Sequence, residues 1–379
     1  MPFMPDTAKI ELGEEPQQET QVPLEQKYRE QMRQIISQKI ELPISTLPGM
    51  IEKQINLSPD FQRRDRWSVE KQSRFIESII MNVPIPPVFL GEDDYGNYVV
   101  LDGRQRLTAV QQFLQNVYGL KNLEVWKELN GQRFIDLEKK KLDRTITRRF
   151  IPAVVILKES SAEVKYDVFD RLNTGGVVAN EMEIRNAVYP GKFNNLIHKL
   201  SDDLHFRELW GIPTDDERRE KDPDYRAMTD VELVLRFFAL REPEKIDLAY
   251  KDFLSEFMGE RNKAYLSDAA LERREEEHFR RAVQNSLKVF GATAFEKRPG
   301  VRSAPLADAI MTALSLLNPD RISPELGASL KVELNKLTQQ NPEFQKAIAS
   351  GTNGKGAIRT RIELAKNCVR NIAPADAFA

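Results

Sequence analysis

The chain has 379 residues, more than one hydrophobic core usually spans, with 41% apolar and 30% charged residues, so two cored domains under a heavily charged surface are expected. A formal net charge of −2 removes any global electrostatic argument for a polyanionic partner, and the single Cys368 excludes an internal disulfide. No apolar run approaches the ~18–20 residues of a membrane span. The opening stretch MPFMPDTAKIELGEEPQQET is acidic and Gln-rich where a secretion signal is basic and then apolar, so the cytoplasm is the expected compartment and residues 1–22 read as a mobile arm.

In chain order, residues 23–38 have the pattern of a polar helix, and KIELPI and INLSP read as short strands around the turn LPGMIEKQ. SVEKQSRFIESIIM begins at a plausible N-cap, Ser68, and places Phe75, Ile76, Ile79 and Ile80 on one face, which predicts a helix packed on a sheet. Pro84-Ile85-Pro86-Pro87 forces an extended entry into Val88-Phe89-Leu90, and the turn Glu92-Asp93-Asp94-Tyr95-Gly96-Asn97 returns the chain into the apolar strand ending at Leu101. RLTAVQQFLQN is helical in pattern, RRFIPAVVILK is β-branched and strand-like, and SAEVKYDVFDRLN is a helix stopped by Gly175 and Gly176. Beyond Asn180 helix follows helix, with residues 213–225 loop-like in composition. The expected fold is α+β, with strands confined to about residues 39–160: an α/β domain over residues 23–200 and an all-α domain over residues 201–379.

YVVLDGRQRLTAVQQFL sets a strand, a Gly turn and a helix N-terminus in immediate succession, which aims backbone N–H groups and the positive end of a helix dipole at one point. Such a point attracts phosphate. Gly103 removes the Cβ that would block close approach, Arg104 and Arg106 offer forked donors, Gln105 offers an amide, and Asp102 is placed to bind a metal ion or orient a water. The plainer reading is a capped helix with solvated arginines, and spacing alone does not separate the two.

The surroundings resemble a family. Phe61-Gln62-Arg63-Arg64-Asp65-Arg66-Trp67, then IESIIMNVPIPPVFL, then Asp102-Gly103-Arg104-Gln105-Arg106-Leu107-Thr108, then Phe169-Asp170-Arg171-Leu172-Asn173-Thr174-Gly175-Gly176 and Glu183-Ile184-Arg185-Asn186-Ala187 are similar in order and spacing to the GmrSD-type restriction N-terminal domain, over roughly residues 40–200. The resemblance implies a ParB/sulfiredoxin-like small mixed sheet. It also implies a defence role in restricting foreign DNA, with a nucleoside triphosphate bound and slowly hydrolysed with Mg²⁺, and DNA or a partner nuclease as the other contact. It further implies that Phe61, Gln62 and Arg63 contact ligand beside the turn, with Trp67 structural. Asn173, Gly175 and Gly176 end a helix, where a left-handed cap by itself accounts for the glycines, or they line the same phosphate pocket. The chain departs from the family at Arg104, where the usual turn has Gln, and at Ala179, where Leu is usual.

Other features read more plainly. His198, His205 and His278 do not make the clustered His and Asn or Asp of an HNH nuclease, and His198 and His205 suit one face of a surface helix. SGTNGKGAIRTRI fails Walker spacing and lacks a preceding strand, leaving a loop that caps the last helix or a backbone contact to nucleic acid through Lys355, Arg359 and Arg361. The mixed-sign run LERREEEHFRR is a solvated helix face, and Cys368 is a packed thiol. Two functions stand: a nucleotide-responsive defence component with Asp102 as its catalytic group, and a non-enzymatic DNA-binding or adaptor module whose turn holds a DNA phosphate.

Overall fold

The computed structural model describes residues 35–57, 67–93, 96–160, 162–172, 180–246, 248–268 and 270–379. The arm over residues 1–22 and nearly all of the polar stretch 23–38 lie outside them; residues 37 and 38 already belong to a strand. Ile36–Ala379 form one compact unit.

Five strands make a mixed sheet in the order β1 (Ser37–Pro43), β5 (Phe150–Ile156), β3 (Val88–Glu92), β4 (Tyr98–Asp102) and β2 (Ile55–Asn56). The β3–β4 hairpin is antiparallel, whereas β3–β5 and β2–β4 are parallel and require the helical crossovers that lie between them in sequence. Successive residues of β4 are buried on opposite faces: Val100 enters the larger core, Val99 and Leu101 the smaller. Helices α1 (Leu47–Lys53), α2 (Val69–Ile80) and α3 (Arg104–Leu114) pack on the first face; α6 (Ala162–Leu172) and α7 (Glu181–Val188) cover the second through Tyr166 and Ile184. The expected α2 face is borne out, with Ile76, Ile79 and Ile80 buried and Phe75 packed beside them, and Ser68 caps the helix by accepting from the Lys71 N–H.

Helix α2 also carries an anchor that periodicity does not reveal. The buried Glu77 carboxylate accepts the backbone N–H groups of Val125 and Trp126, both at 2.8 Å, and of Glu124 at 3.2 Å. Burial pushes its pKa up, but the three N–H groups and Arg74 outweigh that and hold it below the ordinary value of 4.5.

From Glu181 onward the chain is helical, and its core runs from Met182 and Phe193 to Ala377. Helix α7 serves both cores, with Met182 in the helical one and Ile184 in the smaller sheet core, while α8 (Lys192–Ser201) turns its apolar face to the later helices. Tyr189, at the end of α7, packs against both the helical core and the smaller sheet core. One exception to a purely helical second half is a two-stranded hairpin, β6 (Glu296–Arg298) with β7 (Val301–Arg302), turned by Gly300 at φ 73°. Its mostly polar, exposed residues carry no β-pattern. The loop-like stretch 213–225 contains two single-turn helices, each capped by an Asp side chain, Asp215 and Asp222. His198 and His205 lie on separate helices, since α8 ends at Ser201 and Asp203 caps a new helix, Leu204–Trp210. Cys368 is a half-buried thiol against the helical core, its pKa raised by burial and then by Glu333.

Glu77→Gln keeps the side-chain shape but replaces a charge-assisted acceptor, so it is expected to lower stability at neutral pH by ~1–3 kcal/mol. The native contribution is present above the ordinary pKa and is lost as pH falls through the depressed one. Melting curves of wild type and variant should accordingly converge on acidification; a gap that stays constant would rule out the charge as its cause.

Candidate phosphate-binding turn

Strand β4 ends at Asp102, and Gly103 turns the chain at φ 94° into α3, with no side chain to cap the first turn. Two constraints select glycine there. The left-handed backbone is costly for other residues, and a Cβ would stand 2.4 Å from Val88 Cγ1. The missing Cβ thus makes room for β3, and the closeness of β3 aligns the strand end with the helix start.

Arg106 locks this corner. Its guanidinium donates to Asp102 Oδ2 at 2.6 Å and to the carbonyl oxygens of Pro86 and Pro87, and its side chain is 13% exposed. The proline run has few N–H groups to pair with its own carbonyls, so a multi-donor side chain from the facing helix supplies them. The residue read as a phosphate ligand is thereby committed inward, which gives it a positioning role at the turn. Asp102 keeps 40% of its side chain exposed, and hydrogen bonding to Arg106 uses Oδ2 only.

Gln105 is likewise engaged: its Oε1 accepts the Trp67 N–H at 3.2 Å. Buried Gln72 donates to the Trp67 carbonyl at 3.3 Å and to Gln112 Oε1 at 3.2 Å, while the Trp67 ring meets Phe75 edge-on. The end of the FQRRDRW segment is thus pinned across α2 and α3, directly against the turn. Phe61, Gln62 and Arg63 themselves lie outside the described residues, as do Asn173 and Gly175. Arg104 is half-buried at the first position of α3.

Residues 44–190 match the family model of the GmrSD restriction endonuclease, N-terminal domain. These residues are a GmrSD N-terminal domain. No curated protein and no solved structure matches the chain significantly. The domain's last signature, Glu183-Ile184-Arg185-Asn186-Ala187, is structural where it can be seen. Asn180 and Glu183 form a reciprocal cap on α7, and Arg185, 1% exposed, donates to Ser255 Oγ, Glu232 and the Lys251 carbonyl. Asn186 meets Met228 Sδ and His198 Nε2. The GmrSD domain is thereby bolted to the helices that follow it.

Among the described residues no group of three His, Cys, Asp or Glu side chains could hold a metal ion, and no helix is long and apolar enough to cross a membrane. Near the C-terminus, Arg359 donates to the carbonyls of Pro243, Glu244 and Ile246, and fully buried Arg361 donates to Asp308 and Thr352. Both arginines offered as backbone contacts to nucleic acid are already engaged, Arg359 on loop carbonyls at the surface and Arg361 inside the helical core.

Gly103→Ala is expected to cost more than ~2 kcal/mol, from backbone strain together with the overlap on Val88. Because the overlap is relieved when Val88 is shortened, Gly103→Ala with Val88→Ala should lose less than the sum of the single changes in denaturant titration. Strict additivity would show that the two residues do not share this space.

Proposed function

We propose that the GmrSD domain binds a nucleoside triphosphate at the turn from Asp102 to Arg106, hydrolyses it slowly, and serves a restriction or anti-phage defence system by contacting DNA or a partner nuclease. The observation that carries the reading is the corner itself: a half-exposed carboxylate and the dipole of α3 meet at a glycine. Its shape is held from behind by Arg106, so the ligand need not order it. The domain family, a restriction endonuclease component, supplies the cellular context.

Mg²⁺ suits such a site because it needs few protein ligands when phosphates supply the rest. When bound it would neutralise phosphate charge. Asp102 would hold it, directly or through water, with the oxygen that Arg106 does not use. Arg104, at the first position of α3, would supply a forked donor to a phosphate oxygen. Gln105 and Arg106 keep the turn in shape and position Trp67 and the proline run around it.

DNA contact has separate support. Lys140, Lys141, Arg144 and Arg148 are all exposed on and between two short helices, Phe134–Lys139 and Arg144–Thr147, a basic run unlike the nearly neutral chain as a whole.

A thermal-shift and phosphate-release screen of the nucleoside triphosphates with Mg²⁺, with and without DNA, tests the reading. Arg104→Ala should weaken triphosphate binding by ~1.5–3 kcal/mol, and Asp102→Asn should reduce turnover more than affinity. Arg106→Ala should chiefly lower the melting temperature, since it strips donors from two carbonyls and a carboxylate. Triphosphate binding that survives both Arg104→Ala and Asp102→Asn unchanged sinks the proposal. DNA binding that falls steeply with salt and ignores every nucleotide would favour the adaptor instead.

A further inference from the structure

The helical half holds a cavity of about 420 Å³ whose lining includes Arg241, Arg261, Lys245, Phe253 and Phe257. It is built from the end of α12 (Thr229–Ala239) and from α13 (Tyr250–Ser267), outside the family match. Its charges do not cancel where they are desolvated. Lys245 pairs with Glu242 at the surface, and Glu256 and Glu260 are exposed at the rim. Deeper in, Arg261 pairs with buried Glu275 at 3.3 Å and lies over the Phe257 ring, 5.0 Å from its centroid. The half-buried Arg241 guanidinium has no hydrogen-bond partner among the described residues, although its backbone carbonyl accepts from Lys366.

Behind Arg241 the excess continues. Arg281, on α14 (Leu271–Phe290), directs Nη2 at His278 Nδ1 at 2.8 Å, and its buried Nε has no partner. Burial, with the charges of Arg241 and Arg281, pushes the His278 pKa down to about 3, so the ring is neutral. Since Nδ1 accepts from Arg281, the ring proton sits on Nε2, which is buried and also without a partner. Burial lowers the Arg241 pKa, against the pull of Glu275 and Glu242 and together with the repulsion of Arg261 and Arg281. Arg241 and Arg261 therefore share the buried Glu275, with Arg281 close enough to add its repulsion, and an array of this kind is relieved by an incoming anion.

We propose that this cavity is an anion site of the helical half, taking a small phosphate-bearing molecule with a planar ring, of the mononucleotide class. Arg241 and Arg261 face the phosphate, and Phe253 and Phe257 supply the apolar wall for the ring. The volume lies in the range of sites for small ligands, roughly 300–1,000 Å³. The site is independent of the turn in the GmrSD domain and does not require that turn to bind anything.

Adenosine monophosphate is the probe, with the full chain in low-salt, phosphate-free buffer. Without ligand, Arg241→Gln should melt close to wild type, because the change breaks no internal hydrogen bond and removes both the attraction of Glu275 and the repulsion of Arg261 and Arg281. Millimolar probe should raise the wild-type melting temperature, and Arg241→Gln should weaken its apparent Kd by about tenfold or more. Arg104→Ala, at the turn, should respond to the probe as wild type does. Should Arg241→Gln fail to fold, Arg261→Gln, at a residue that also lines the cavity, is the variant expected to lose the response. The proposal is overturned if the probe shifts neither protein, if it shifts wild type and the arginine variants alike, or if the shift disappears in Arg104→Ala alone.

Discussion

The ion pair between Arg106 and Asp102 is the contact on which the sheet end of this protein is built. One guanidinium reaches the last residue of β4 and the carbonyls that lead into β3, from a helix that begins a single residue beyond the strand. A surface ion pair contributes little, but this arginine is largely buried and satisfies carbonyls that a proline-rich segment cannot pair for itself. Losing it would leave several polar groups short of partners at once. The glycine at the corner, the valine beneath it and the extended prolines all follow from that geometry.

The same use of arginine recurs where the halves of the chain meet. Arg185 ends fully buried among Ser255, Glu232 and a helix carbonyl, and Asp308 is gripped by both Arg236 and Arg361 inside the helical core. Each of these pairs is expensive to desolvate, and each is hydrogen-bonded on several sides, the condition under which buried charge is tolerated. Their directionality gives the helical packing a specificity that apolar contacts alone lack. Arg241 and Arg281 stand out against this background, since their neighbours already have carboxylates or carbonyls to bind.

The charge economy of the chain thus separates into two kinds of arginine. One kind holds structure: Arg106, Arg185, Arg236, Arg359 and Arg361 are spent on carbonyls and carboxylates of the fold. The other kind is poised toward a space or toward solvent, as with Arg241 beside its cavity and with Arg144 and Arg148 on the exposed basic run. A net charge of −2 conceals both, because summed charge carries no information about which groups have already found partners.

The sequence by itself determined the elements and the family. Alternation in β4, the apolar face of α2 with its Ser68 cap, the glycine at the strand-to-helix junction and the succession of helices after Asn180 are local patterns, set by periods of two and 3.6 residues and by backbone sterics. The order of motifs across residues 44–190 was legible for the same reason. Only tertiary structure decided what the charged side chains do. Nothing near Arg106 in sequence foretells that it pairs with the Pro86 and Pro87 carbonyls, nor could Arg359 and Arg361 be told from nucleic-acid contacts before the loop at residues 243–246 and Asp308 came to meet them. The hairpin at residues 296–302 and the sharing of α7 between two cores were hidden likewise, since both depend on what packs across the chain. Partner choice for an arginine is a question of distance in space, and residues far apart in the chain supply nearly all of the answer.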